Sequence, residues 1–249
     1  FEIFIQKNTN GGILVYNEDD SEVKRVAEAS TNPIRRISYS TPNYSVENGT
    51  TLLETPEGAM PIEVFGAHNL NNLAGAKWIC QNMGVDEADF YEAIASFKGA
   101  SKRLEKIAEN KNNVAYKDFA HSPSKVAATT KAVKEQYPDR QLIACLELHT
   151  YSSLNAEFLK EYEGALDNAD VAVVFYSPDA VKIKQLEEVS YEQIAKAFNR
   201  EDLVIYTNPA AFKEYLYHLK FDTEKIALLL MSSGNYGGLN FDEVKTLFN

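Results

Sequence analysis

Only two cysteines, Cys80 and Cys145, occur in 249 residues, so no disulfide framework holds this chain together. Both sit in apolar patterns and read as core residues of a reducing compartment. Cationic excess is missing as well: 25 Lys and Arg stand against 36 Asp and Glu, a net charge of −11. That sign argues against a nucleic-acid backbone or an anionic membrane as partner. A phosphate ligand would have to be held by a few local cations and by helix starts. No apolar run reaches the roughly eighteen residues of a membrane span. The strongest, Ile226–Met231, is a buried strand at most. His68, His121, His149 and His218 include no pair at i, i+3 or i, i+4, and no cysteine cluster joins them, so no metal site is read. Gly-x-Ser-x-Gly, the mark of one class of serine hydrolase, is absent. So is Gly-x-x-x-x-Gly-Lys-[Ser/Thr], the loop that cradles nucleotide phosphates. No secretory leader is visible, which makes the cytoplasm the expected compartment, although the chain starts at Phe1 and not at Met.

What is present is ordinary for a globular protein: 45% hydrophobic and 24% charged residues, enough for one large or two modest cores. From Asp118 onward the pattern alternates. Apolar runs at Gln141–Leu146, Val171–Phe175, Leu203–Tyr206 and Ile226–Met231 are separated by helical patterns at Lys125–Gln136, Asn155–Leu166, Tyr191–Phe198 and Pro209–Leu219. Continuous apolar strands between amphipathic helices imply a mostly parallel sheet covered on both faces. Residues 98–249 therefore read as a Rossmann-like α/β domain. Ser190, Asn208-Pro209 and Asn240 are placed to cap helices.

Residues 1–97 differ. Strands are expected at Ile13–Tyr16 and Ile34–Tyr39, a helix at Asp19–Ala29, and a hairpin of Thr50–Thr55 and Met60–Phe65 about Pro56-Glu57-Gly58. Helices follow at Leu70–Met83 and Glu87–Ser96. This is too little alternation for a whole domain and reads as the tail of a larger one. Phe97-Lys98-Gly99-Ala100 is the hinge candidate.

Two segments place polar side chains at the edges of apolar stretches, where packing gains nothing from them. Gly66-Ala67-His68-Asn69-Leu70-Asn71-Asn72 opens a helix, whose first N–H groups suit anions. Asp118-Phe119-Ala120-His121-Ser122-Pro123 follows the strand Asn113–Lys117, with Ser122 and Pro123 set to start the next helix. Acid and imidazole at the carboxyl end of a strand stand where open α/β sheets bind ligands.

Together these segments resemble the Mur ligase family, ATP-dependent enzymes that add amino acids or peptides to UDP-N-acetylmuramate. The family pattern is Gly-x-His-Asn-x-x-Asn, then Phe-x-Gly…Arg-x-Glu, then Asp-[Tyr/Phe]-[Ala/Gly]-His-x-Pro. Phe97, Gly99, Arg103 and Glu105 fill its middle element here. The resemblance covers essentially the whole chain and implies that residues 1–97 end a central ATP-binding α/β domain. Residues 98–249 would form the C-terminal domain. The central phosphate loop, the main Mg2+ ligands and the UDP-sugar-binding domain would all lie before Phe1, so the chain reads as a C-terminal fragment, inactive alone.

The resemblance also implies roles. Asp118 would hold the ribose hydroxyls of ATP, Asn72 would border adenine, and Arg103 would reach the phosphates or ribose, with His68 on the same nucleotide side. His121 and Asn69 are the candidates on the reacting side. Each has a bland alternative: a solvated turn aspartate, a surface arginine, plain first-turn helix residues. Lys102 matches one branch of the family, and Ser122 stands where related enzymes often carry histidine. Phe97–Gly99, Lys102–Glu105, Asp118–His121 and Met231–Gly238 look like the murein-recycling branch, which joins L-alanyl-γ-D-glutamyl-meso-diaminopimelate to UDP-N-acetylmuramate. Leu148-His149 departs from the Pro-Arg usual there. An L-alanine-adding ligase is the alternative. A non-catalytic nucleotide- or peptide-binding module and a folate-polyglutamate-type ligase are further rivals.

Overall fold

Strand β11 (Ile226–Met231) carries the second half of the chain: its six residues are each at most 1% exposed. Such a run has no face for water, so it must lie between strands and under helices on both sides. The computed structural model, which describes residues 1–185, 189–221 and 223–248, shows that arrangement. The chain divides into two compact units, Phe1–Lys98 and Gly99–Asn249.

In the second unit, the strands are β6 (Glu105–Glu109), β7 (Val114–Asp118), β8 (Gln141–Glu147), β9 (Val171–Phe175), β10 (Val204–Tyr206) and β11, ordered β10-β9-β8-β11-β7-β6. All neighbours pair parallel except β6 with β7. The α/β fold with a mostly parallel sheet is thus as the alternation predicts. One face packs Ala115, Ile143, Cys145, Val173, Phe175, Leu228 and Leu230 against Phe212 and Leu216 of α8 (Pro209–Tyr217) and Val244 of α9 (Phe241–Thr246). Against β8 and β11 lies α5 (Pro123–Gln136). The expected caps form at Asn208, Asn240 and Ser190, the last as a reciprocal capping box on α7 (Tyr191–Phe198). Ser122 occupies its cap position, but its hydroxyl makes no capping bond.

At the amino ends of the strands, Asn113 is 1% exposed and ties three segments. Its Nδ2 donates to the Phe221 carbonyl at 2.6 Å, and its Oδ1 accepts from Ile226 N–H at 2.8 Å. At the carboxyl ends, Gly237 has φ 71°, and a Cβ there would lie 2.5 Å from Pro209 Cγ.

The first unit is built differently. Its strands β1 (Ile13–Asn17) and β2 (Arg35–Tyr39) form a parallel pair, while β3 (Tyr44–Glu47), β4 (Thr50–Thr55) and β5 (Gly58–Ile62) form an antiparallel sheet. Helices α1 (Glu2–Gln6), α2 (Ser21–Ala29), α3 (Ala67–Asn82) and α4 (Glu87–Ala95) complete it. Leu53 and Ile62 pack with Leu70, Leu73 and Phe90 as one small core.

Several expectations are corrected. Asn155–Leu166 holds only a short 3-10 turn, Phe158–Tyr162; Asn155 Oδ1 accepts the Glu157 and Phe158 N–H groups, and Gly164 turns the chain at φ 74°. Strands β3 and β6 and helices α1 and α6 (Pro178–Ile183) were not anticipated. β6 and β3 are short and no residue of either is fully buried, a weak signal beside a continuous apolar run. Cys80 is half-buried on α3, whereas Cys145 is fully buried as expected.

Asn113→Ala leaves a buried carbonyl and a buried N–H unmet, so it is expected to cost roughly 2–4 kcal/mol, read from the urea midpoint of the second unit. Gly237→Ala forces a left-handed non-glycine residue against a proline ring and should cost roughly 2–4 kcal/mol in the same measurement.

Candidate functional site

Asp118 is the last residue of β7, one position further along the strand than its sequence pattern places it. The residue is 7% exposed and each carboxylate oxygen accepts one backbone N–H: Oδ2 from Leu104 at 2.7 Å, Oδ1 from Ala120 at 2.6 Å. A carboxylate offers about four lone-pair sites, so acceptor capacity remains after both bonds. The main chain here is knitted to its neighbours, since Ser232 N–H donates to the Asp118 carbonyl and Phe119 N–H to that of Lys102.

The 102–104 loop comes to Asp118 because Glu105 folds it. Glu105 Oε2 accepts from Lys102 N–H at 2.8 Å and from the Ser101 hydroxyl at 3.0 Å, and Oε1 pairs with Lys117 Nζ at 2.9 Å. Burial alone would raise this carboxyl, but the Lys102 N–H, Lys117 and Ser101 outweigh it and hold its pKa below the ordinary value. Lys102 and Leu104 take positive φ, 56° and 45°, so the chain turns sharply on either side of Arg103. Arg103 is exposed and is free of ion pairs among the described residues. The Arg-x-Glu spacing thus has a local cause: the glutamate shapes the loop that presents the arginine.

His121 directs Nδ1 to the Phe119 carbonyl at 2.8 Å and sets its ring edge-on to the Phe119 ring, while its own carbonyl accepts from the Tyr162 hydroxyl. With Nδ1 as donor, Nε2 keeps its lone pair.

Beside Asp118 a cleft of about 430 Å3 opens between the ends of β7 and β11. Lys102, Lys117, Ser232, Gly234, Asn235 and Asn240 are among its walls. Behind Gly234 stands Glu147, the last residue of β8 and only 3% exposed. Its Oε2 accepts from the Ser232 hydroxyl and from Tyr236 N–H, the latter at 2.9 Å. The same Ser232 oxygen accepts Gly234 N–H at 2.7 Å. Glu147 Oε1 faces His149 Nδ1 at 3.6 Å. The sequence patterns single out Ser232, Gly234, Tyr236 and His149 but not Glu147, whose signal is an acid closing an otherwise apolar strand.

The other predicted residues lie in the first unit. Gly66 precedes α3 at φ 87°, so His68 and Asn69 stand inside its first turn, and the helix starts before the expected Leu70. Asn69 Nδ2 donates to the Phe65 carbonyl at 3.0 Å, a structural use of a residue expected on the reacting side. Asn72 is exposed on the next turn. Its neighbour Asn71, which the pattern left unassigned, donates to Asn17 Oδ1 at 3.3 Å, Asp19 Oδ2 at 3.0 Å and Thr41 Oγ1 at 3.2 Å. Asp19 Oδ2 also accepts from Thr41 N–H at 2.8 Å. That network fixes α3 over the carboxyl ends of β1 and β2. The structure therefore gathers Asp118, Arg103 and His121 in one unit, and His68, Asn69 and Asn72 in the other. Among the described residues no group of three His, Cys, Asp or Glu side chains is placed to hold a metal ion.

Residues 102–234 match the family described as Mur ligase, glutamate ligase domain. A UDP-N-acetylmuramate–L-alanine ligase of Gloeothece citriformis is 30% identical over 191 residues, 73% of this chain and 38% of that protein. A murein peptide ligase of Psychrobacter arcticus superposes with TM-score 0.64 at 18% identity, covering 100% of this chain and 54% of that one. The MurF ligase of Thermotoga maritima, solved with ADP, gives 0.65 at 16% identity, covering 98% and 54%. The chain spans well under two thirds of each. With the matched segment running from the loop that holds Asp118 to the glycine in front of Glu147, the chain belongs to the Mur ligase family.

Proposed function

We propose that the full-length protein is an ATP-dependent ligase that joins an amine to the carboxylate of UDP-N-acetylmuramate through an acyl phosphate, in cell-wall synthesis or murein recycling. The observation that carries this reading is the edge around Asp118: a buried carboxylate with unfilled acceptor sites, beside an exposed arginine, in a chain of this family. ATP would supply the phosphoryl group, with Mg2+ bound chiefly by residues outside this chain. Within the chain, Asp118 would accept the ribose hydroxyls, a task its remaining lone pairs allow. Arg103 would offer its planar donors to the phosphates. Asn72, with His68 near it, would present an amide able both to donate to and to accept from an adenine edge. His121, through Nε2, is assigned to the side where phosphoryl transfer and amide formation take place. Asn69 is assigned to the same side, through its Oδ1 and the N–H left over from its bond to the Phe65 carbonyl.

For the amine we propose the tripeptide L-alanyl-γ-D-glutamyl-meso-diaminopimelate. The support is the run Lys102-Arg103-Leu104-Glu105, Asp118-Phe119-Ala120-His121 and Met231–Gly238, which resembles the recycling branch. L-Alanine is the second reading, favoured by the curated relative named for that substrate. Turnover of the full-length protein with each amine decides between them: clear preference for L-alanine ends the tripeptide version, and no ATP-dependent product with either ends the ligase reading.

Two outcomes test the residue roles. Asn72→Ala removes an exposed side chain, so it should leave stability within about 0.5 kcal/mol and raise KM for ATP roughly tenfold, the worth of one good hydrogen bond. Asn71→Ala, by contrast, should lower stability measurably. For the 249-residue chain alone, isothermal titration with Mg-ATP is expected to show no micromolar binding. A few exposed contacts of about 1 kcal/mol each fall well short of the roughly 8 kcal/mol that micromolar affinity requires.

A further inference from the structure

We propose that His149, oriented by Glu147, is the base that takes the proton from the incoming amine. The inference rests on the ligase reading and adds to it a catalytic residue, at the position where the recycling branch usually carries arginine, and a positioning residue outside the motifs above. In the step concerned, the amine nitrogen forms the new C–N bond to the acyl carbon, and the C–O bond to phosphate breaks, its electron pair leaving on phosphate. The surplus N–H proton needs an acceptor, and it passes to His149 Nε2.

Four observations carry this. Glu147 is buried to 3% exposure, a costly place for a carboxylate unless its oxygens have partners. Its structural duties both fall on Oε2, which accepts the Ser232 hydroxyl and Tyr236 N–H; Oε1 is left to His149. The 3.6 Å separation of Oε1 from Nδ1 is an ion-pair distance longer than a hydrogen bond, and catalytic pairs often tighten from such a distance only when substrate is bound. An acceptor-only carboxylate there favours the tautomer with hydrogen on Nδ1, leaves the Nε2 lone pair free, and stabilises the imidazolium once the proton is taken. Among the described residues His149 is the cationisable group within ion-pair distance of Glu147, and its side chain is 39% exposed, open to a substrate.

Gly234 lets one wall of the cleft lie directly against the pair. A Cβ at this position would lie 2.8 Å from Glu147 Oε2 and 3.0 Å from the imidazole, so only glycine lets the loop pass this close. Ser232 and Gly234 are themselves walls of the 430 Å3 cleft. The pair therefore stands directly behind the cleft wall, at the carboxyl edge of the parallel strands.

The test uses the full-length protein with Mg-ATP and UDP-N-acetylmuramate, and separates two readouts. Hydroxylamine, already unprotonated at neutral pH, traps the acyl phosphate as a hydroxamate without help from a base. Amide formation with the tripeptide or L-alanine, whose amines are protonated, needs one. For His149→Asn and Glu147→Gln we expect hydroxamate formation to persist and amide formation to fall about 100-fold, the usual scale of a lost general base. Glu147→Asp, which keeps the carboxylate, should recover part of the loss. Parallel loss of both readouts, or unchanged amide formation, overturns the proposal. His149→Asn alters a half-exposed side chain and keeps the test valid should the Glu147 variants misfold. Absence of hydroxamate from the unsubstituted protein overturns the ligase reading itself, and this inference with it.

Discussion

The burial of β11 on both faces is the constraint on which the second unit depends. A strand with no residue more than 1% exposed demands a hydrogen-bonding partner on each side and a helix layer above and below. β7 and β8 supply the partners, in parallel register from Ala227 opposite Val114 to Met231 opposite Asp118 and Leu146. Parallel pairing sends the carboxyl ends of all three strands to one edge. Asp118, Glu147 and Ser232 meet there for that reason, although they are far apart in the chain.

Polar groups at that edge serve the fold first. Asp118 and Glu147 are buried carboxylates, and each accepts hydrogen bonds from neighbouring loops: Leu104 and Ala120 for one, Ser232 and Tyr236 for the other. Each keeps acceptor capacity beyond these bonds. Site and scaffold therefore share the same side chains, with the loops folded around the acids. The first unit has a smaller network of the same kind, where Asp19 and Asn17 hold Asn71 while Asn72 beside it is exposed.

The sequence made the second unit legible because its strands are continuous apolar runs, and a covered parallel sheet is the arrangement that satisfies them. Capping residues were equally readable: Ser190, Asn208 and Asn240 act as their types predict. Edge elements were not. β6 carries Glu105, Lys106 and Glu109 in five residues, so nothing in its composition separates it from a loop; its antiparallel pairing with β7 comes from tertiary context. Helical periodicity at Asn155–Leu166 yields only a 3-10 turn although Asn155 caps its start, and Gly164 at φ 74° turns the chain away. For the site, motif residues could be named but their duties could not. Asn69 stands in a motif and also ties the helix start to the Phe65 carbonyl, whereas Glu147, at the end of an apolar strand, belongs to no motif.

The stapling of the 232–238 loop has a thermodynamic consequence. Its backbone is bonded to Glu147 through Tyr236 N–H and through Ser232, the Tyr236 hydroxyl donates to the Cys145 and Met231 carbonyls, and Gly237 lies against Pro209. A loop so anchored has already lost its conformational freedom before any ligand arrives. Ordering a free loop on binding would cost roughly 0.5–1.5 kcal/mol for each side chain immobilised. Here that cost is met during folding, so a ligand seated against this wall of the cleft would be spared it.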